Sequence, residues 1–232
     1  MRSRRVHVGE NAAVLVRWPI LAGIDFSRIF IEFVVLIFSL TVHEAAHAFT
    51  SDRLGDPTAR LLGRVSLNPA VHIDPIGTIL FPLIAMITNV PVLGWAKPVP
   101  VNITRLKGHW KRKYMLIAAA GPASNIVLAL LASVLLHVVP VGGSLGEATL
   151  APLANFLYQA VLLNVLLAVF NMVPVPPLDG GNVLAGVLHG PVADAYESLR
   201  PYGFMILYGL MFTGILATII SPPAQFLLSW LL

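Results

Sequence analysis

Long apolar stretches alternate with short polar ones along the chain, and this pattern predicts several membrane-spanning helices. The clearest apolar stretches cover residues 29–49, 114–139, 153–170 and 202–232. Because the hydrocarbon core of a bilayer is about 30 Å thick, roughly 20 apolar residues are needed to cross it as a helix. We therefore expect an all-α, polytopic membrane helical bundle, with the last stretch broken at Ser221-Pro222-Pro223.

Residues 76–95 are also apolar, but they do not form a simple span. Pro82 and the turn Asn89-Val90-Pro91 interrupt them. If the end of the first span and the basic run at 105–113 lie on one side of the membrane, this segment must cross twice or dip and return. It is too short for two crossings. We expect a re-entrant hairpin, followed at 97–101 by a short extended or β segment, because its two prolines prevent a helix.

The segment 171–181, with the sequence NMVPVPPLDGG, directly follows an apolar stretch and holds three prolines and two glycines. A helix cannot continue through it. Irregular backbone at membrane depth is tolerated only where it is buried in protein or lines a watery cavity. This segment is therefore the best internal indication of a functional site, and we expect a helix at about 182–188 after it.

Composition agrees with a chain that lies in lipid. Hydrophobic residues make up 57% and charged residues only 11%, against roughly 25% charged in an average soluble domain. We therefore expect one integral-membrane domain over residues 1–232, placed in the cell membrane as a multi-pass protein with the lipid bilayer around it.

The charge distribution argues against nucleic acid as a partner. All basic residues except Arg200 lie at or before Lys113, and clusters at 2–5 and 105–113 flank apolar segments. Positive-inside bias and lipid headgroups explain this placement better than nucleic acid does. The absence of cysteine excludes disulfides, thiolate metal sites and a cysteine nucleophile.

The first apolar stretch contains the sequence HEAAH at 43–47. Histidines at i and i+4 of a helix lie on one face and can bind one zinc ion, and Glu44 is placed to hold a water beside it. The alternative is a His–Glu pair packed between helices. However, His43, His47 and Glu44 inside a membrane span are costly unless they are paired or bind a metal.

A catalytic zinc normally takes three protein ligands, so a third is needed. Of the acidic residues after Glu44, only Asp179 lies in the irregular segment. The others lie in polar stretches or turns, where solvation explains them: Asp52, Asp56, Asp74, Glu147, Asp194 and Glu197. Asp179 is therefore the candidate third ligand. The alternatives are a turn aspartate before Gly180 or a cap for the helix that follows.

At this point the chain resembles the site-2 proteases, intramembrane zinc metalloproteases that cleave transmembrane helices. The resemblance covers about residues 30–188, which we expect to form the catalytic core. It rests on HEAAHAF at 43–49, GWAKPVPVN at 94–102, GPASN at 121–125 and NMVPVPPLDG at 171–180. It implies that His43, His47 and Asp179 hold one zinc ion and that Glu44 acts in catalysis. The chain would be a short form without a PDZ domain or nucleotide-sensing modules.

The resemblance also gives roles to two asparagines. Asn125 and Asn171 would face the active site, where their amides bind the unwound substrate backbone or stabilise the oxyanion. For Asn125 the alternative is a contact between helices, because Gly121 and Asn125 at i and i+4 permit close packing.

These features predict a zinc-dependent intramembrane endopeptidase whose partner is a transmembrane segment of a membrane protein substrate. The extended segment 97–102 would hold an unwound substrate through backbone pairing, or it is a surface linker. The competing hypothesis is a non-catalytic membrane scaffold that retains the fold. A zinc transporter would need further ligands along several spans, and the sequence offers one cluster.

Overall fold

The computed structural model of the protein describes residues 26–88, 93–139 and 144–232. Within these ranges the chain is helical or irregular and forms no strand, so the prediction of an all-α bundle is confirmed. The helices are α1 (Phe26–Arg53), α2 (Thr58–Leu61), α3 (Phe81–Thr88), α4 (Trp110–Val138), α5 (Ser144–Asn171), α6 (Asp179–Val187), α7 (Pro191–Glu197), α8 (Gly203–Phe212) and α9 (Ile215–Leu231). The predicted basic cluster at 2–5 lies outside the described residues.

Among the described residues, three helices are long and apolar enough to cross a membrane: α1, α4 and the Leu150–Asn171 part of α5, and the bent pair Pro191–Phe212 and Ile215–Leu231 would form a fourth span if it crosses as one unit. Helix α4 packs against both α1 and α5 and runs antiparallel to α1, since Asn125 lies beside His43 and Lys113 lies beside Leu54. Small residues of α4 such as Ala129 are fully buried against α5. Small side chains let membrane helices approach closely, which brings polar groups of different helices within hydrogen-bonding distance.

The predicted break at Ser221-Pro222-Pro223 is wrong. Helix α9 is continuous through both prolines. The chain instead bends by 79° between α8 and α9, at Gly214, whose φ is +77°. A membrane helix tolerates prolines because neighbouring groups satisfy the freed carbonyls, whereas a left-handed glycine ends a helix directly.

The two described parts of the apolar segment 75–95 lie side by side, as a hairpin requires. A π-helical turn (Pro75–Leu80) leads into α3. At the base, the Trp95 N–H donates to the Gly77 carbonyl at 3.0 Å and the Thr78 hydroxyl donates to the Trp95 carbonyl at 2.8 Å. The predicted turn at 89–91 lies outside the described residues.

Both ends of this hairpin lie on one side of the bundle. Lys113 Nζ donates to the Leu54 carbonyl at 2.9 Å, which places the basic run 105–113 beside the end of α1. This is the arrangement that requires residues 76–95 to dip and return. Residues 97–102, here called the strap, have no regular secondary structure and lead from the hairpin to the 3₁₀ turn at Ile103–Arg105.

Candidate metal centre

Helix α1 presents His43 and His47 one turn apart on the face that packs against α4. Both are buried, and their Nε2 atoms lie 3.0 Å apart. Each Nδ1 faces an acceptor on α4: the Asn125 Oδ1 at 2.6 Å for His43 and the Ile117 carbonyl at 2.7 Å for His47. Because each Nδ1 therefore carries the ring hydrogen, both Nε2 lone pairs point into one shared space.

Asp179 reaches the same space from the irregular segment. Its Oδ2 lies 3.1 Å from His43 Nε2 and 3.3 Å from His47 Nε2. It is the first residue of α6, directly after the N-cap residue Leu178, and its carboxylate faces the two histidines. Gly180 permits this approach, because an added Cβ would overlap the backbone carbonyl of Met172.

The three donor atoms suit a zinc ion. Zinc bonds of about 2.0–2.1 Å in tetrahedral geometry place neighbouring ligand atoms about 3.3–3.4 Å apart, and the three donor separations are 3.0, 3.1 and 3.3 Å. Two imidazoles and one carboxylate are also a donor set that zinc prefers, with a fourth position left for water or substrate.

Gly121 keeps the space between these donors free. A Cβ added there would lie 2.6 Å from His43 Nε2 and closer still to His47 Nε2. Any larger residue would therefore press on the Nε2 atoms of both histidines. Gly121 of the GPASN sequence thus contributes to the metal site because it has no side chain.

Glu44 faces the strap. Its side chain is 9% exposed, and its Oε2 accepts a hydrogen bond from the Val99 N–H at 3.2 Å. Arg64 holds the same segment, since its Nη2 donates to the Lys97 carbonyl and, at 3.3 Å, to the Pro98 carbonyl. Burial lowers the pKa of the Arg64 guanidinium, and the nearby Glu44 opposes that shift. The strap therefore lies directly beside the predicted general base.

Asp56 fixes the far end of the strap. It is fully buried, and its Oδ2 accepts from the Asn102 N–H at 2.6 Å while its Oδ1 accepts from the Thr58 N–H at 3.1 Å. Burial raises the pKa of this carboxyl, but the hydrogen bonds from Thr58, Asn102 and Ser51 outweigh that effect and hold the pKa below its usual value. Asp56 is thus a structural carboxylate, where the sequence suggests a solvated one.

The two predicted substrate-binding asparagines differ in their surroundings. Asn125 is 0% exposed and lies between His43 and Asn164. The Asn171 amide donates to the Leu167 carbonyl of its own helix at 2.9 Å. The role of either amide toward a substrate stays a prediction. Sequence reasoning also misses Asn164, although a lone amide inside an apolar span is a recognisable signal.

Comparisons with known proteins place the chain in a family. The sequence model described as Peptidase family M50 matches residues 137–210. The "Putative zinc metalloprotease YwhC" of Bacillus subtilis (strain 168) is 35% identical over 190 residues, which cover 82% of this chain and 83% of YwhC. The "Putative zinc metalloprotease Rip2" of Mycolicibacterium smegmatis is 31% identical over 183 residues, which cover 76% of this chain and 64% of Rip2. No solved structure matches the chain.

The helices suited to spanning a bilayer, the donor group and the names of these relatives together indicate a membrane zinc metallopeptidase. The chain belongs to peptidase family M50, the site-2 protease family. Family membership and the donor group of His43, His47 and Asp179 together support zinc as its cofactor.

Proposed function

We propose that this protein is a zinc-dependent endopeptidase that hydrolyses peptide bonds within or near transmembrane helices of other membrane proteins, as a multi-pass protein of the cell membrane. The observation that carries the proposal is the depth of the donor group. His43 and His47 precede the end of α1 at Arg53 by ten and six residues, which at 1.5 Å per residue is about 15 Å and about 9 Å. A bond cut here lies at membrane depth.

Each polar residue of the site has one task in this reaction. His43, His47 and Asp179 hold the ion through Nε2, Nε2 and Oδ2. A bound zinc ion supplies Lewis-acid polarisation of the scissile carbonyl and acidifies water beside it. Glu44 takes a proton from the attacking water and delivers it to the leaving amine. Burial of these side chains excludes other water, which strengthens the electrostatic interactions in the site.

The strap supports the second half of the proposal, a substrate bound in extended form. A helical substrate hides its carbonyls in hydrogen bonds, so it must unwind before attack. Among the described residues, the Val101 N–H and the Val99 carbonyl make no hydrogen bond to the rest of the chain. A peptide that pairs with these groups passes beside Glu44, because the neighbouring Val99 N–H contacts its carboxylate.

The proposal is tested with purified protein in lipid bilayers and single-span helices as substrates, with mass spectrometry of the products. We expect cuts inside or at the edge of the apolar segment, and we expect His43→Ala to lose both zinc and cleavage. Cuts confined to extramembrane loops would contradict the intramembrane part of the proposal. A folded wild-type protein without zinc or cleavage would favour the non-catalytic scaffold.

A further inference from the structure

A chain of hydrogen bonds runs from α5 through α4 to the first zinc-site histidine. Asn164 Nδ2 donates to the Ala160 carbonyl at 2.8 Å, Asn125 Nδ2 donates to Asn164 Oδ1 at 2.8 Å, and Asn125 Oδ1 lies 2.6 Å from His43 Nδ1. The three side chains are 2%, 0% and 4% exposed, in the order Asn164, Asn125 and His43. In the intact protein these groups are therefore shielded from bulk water and depend on one another for hydrogen bonds.

The Ala160 carbonyl, at one end of this series of hydrogen bonds, determines which atom donates in each of them. The Ala160 carbonyl can only accept, so Asn164 must turn its NH₂ group toward it and its Oδ1 toward Asn125. Asn125 must then direct its own NH₂ group at Asn164, which leaves Oδ1 for His43. The Ser39 carbonyl, 3.4 Å from Asn125 Nδ2, favours the same orientation.

This order of donors and acceptors determines which nitrogen of His43 carries the hydrogen. A carbonyl oxygen facing Nδ1 requires an N–H there, which leaves the Nε2 lone pair for a metal. His47 achieves the same state through a main-chain acceptor, the Ile117 carbonyl. Only His43 depends on side chains for it, so only His43 can lose its tautomer through substitution of an asparagine.

We propose that Asn164 is a positioning residue of the zinc site, acting through Asn125 to hold His43 with Nδ1 protonated and Nε2 directed at the metal. The inference rests on the proposed zinc function. Asn164 lies on α5, outside the HEAAH, GPASN and NMVPVPPLDG motifs, and touches neither the donor atoms nor Glu44. The competing explanation is that Asn164 contributes only packing between α4 and α5.

The test compares zinc affinity, by chelator competition, in Asn164→Leu and in the matched control Asn155→Leu, whose residue is exposed on the same helix. We expect Asn164→Leu to weaken zinc binding by about tenfold, the lower end of the effect of losing a direct partner of a ligating histidine, because the long contact from Asn125 Nδ2 to the Ser39 carbonyl remains. Asn155→Leu should leave zinc binding unchanged. Asn164→Ala, which adds no bulk, replaces the leucine variant if that variant does not fold.

A second variant, Asn125→Asp, is the background in which a positioning role of Asn164 can be distinguished from a packing role. In Asn125→Asp, a carboxylate accepts from His43 Nδ1 whatever stands at position 164. Adding Asn164→Leu there should change zinc affinity by less than about threefold, because the two residues act in one chain. Nitrogen-15 NMR of histidines in the zinc-free protein should show His43 protonated at Nδ1 in the wild type and a mixture in Asn164→Leu.

Two results would overturn the inference. The first is wild-type zinc affinity in the folded Asn164→Leu protein. The second is an equal loss of zinc affinity from Asn164→Leu in the wild-type and Asn125→Asp backgrounds, with an unchanged NMR signal for the protonated nitrogen of His43. Failure of the wild type itself to bind zinc would instead refute the proposed function. The two failures are therefore distinguishable.

Discussion

Replacing Gly121 with alanine should abolish tight zinc binding while leaving the bundle folded. The added Cβ would lie 2.6 Å from His43 Nε2, which is 0.8 Å short of the 3.4 Å at which ordinary contact begins. A metal site tolerates ligand displacements of about 0.2 Å, so the required retreat removes at least one donor. We expect zinc affinity to fall by at least about 100-fold, or about 2.8 kcal/mol.

The assay is zinc titration of the purified variant against a competing chelator, with circular dichroism to confirm that the helices are intact. Gly209→Ala is the matched control, because it makes the same change in helix α8, where no atom lies within 4 Å of the added Cβ. It should bind zinc as the wild type does. Wild-type affinity in Gly121→Ala would show that the donors do not surround the space beside this glycine.

Three further predictions concern the ligand, the strap and its anchor. Asp179→Ala should weaken zinc binding at least about 100-fold in the same titration, and unchanged affinity would exclude it as a ligand. Arg64→Met should release the Lys97 carbonyl and lower kcat/KM for a membrane substrate roughly tenfold with zinc affinity unchanged; equal kinetics would show that the strap needs no such anchor. Asp56→Asn replaces an acceptor by a donor and should lower the free energy of unfolding at pH 7 by about 1–3 kcal/mol. Because burial, which raises the pKa of Asp56, is outweighed by its hydrogen bonds, the pKa stays low. The carboxylate therefore stabilises the folded state at pH values above about 3.9, the usual carboxyl pKa. This stabilisation is lost as the pH falls through the lower pKa that Asp56 has in the folded state. Denaturant unfolding should show the gap between variant and wild type narrowing toward pH 3, and a constant gap would contradict this account.

The residues of the metal centre are predictable because they interrupt an apolar background. His43, Glu44 and His47 stand in a stretch that otherwise reads as membrane-spanning, and Asp179 stands where prolines forbid a helix. Polar groups at such positions are costly without a partner, so the sequence alone indicates a site. Asn164 also interrupts an apolar stretch, but it belongs to no motif with metal-ligand spacing. The sequence therefore does not distinguish it from an ordinary polar contact between helices.

The strap contacts are not predictable in this way. Arg64 and Asp56 lie in a polar stretch. In such a stretch the sequence does not distinguish a polar residue that becomes buried from one that stays exposed. They are buried because the strap folds back over them, and that contact joins residues 33 and 46 positions apart. The error at Ser221-Pro222-Pro223 has a different cause. Proline ends helices in water more reliably than in a membrane bundle, and here Gly214 supplies the turn.

The central claim is that His43, His47 and Asp179 hold a zinc ion whose reaction depends on Glu44. It is tested most directly by measuring zinc content and cleavage of a single-span substrate in the same preparations of wild type and Glu44→Gln. We predict about one zinc per chain in both proteins, and cleavage in the wild type alone. Cleavage by Glu44→Gln at the wild-type rate, or a cleaving wild type without zinc, would contradict the account.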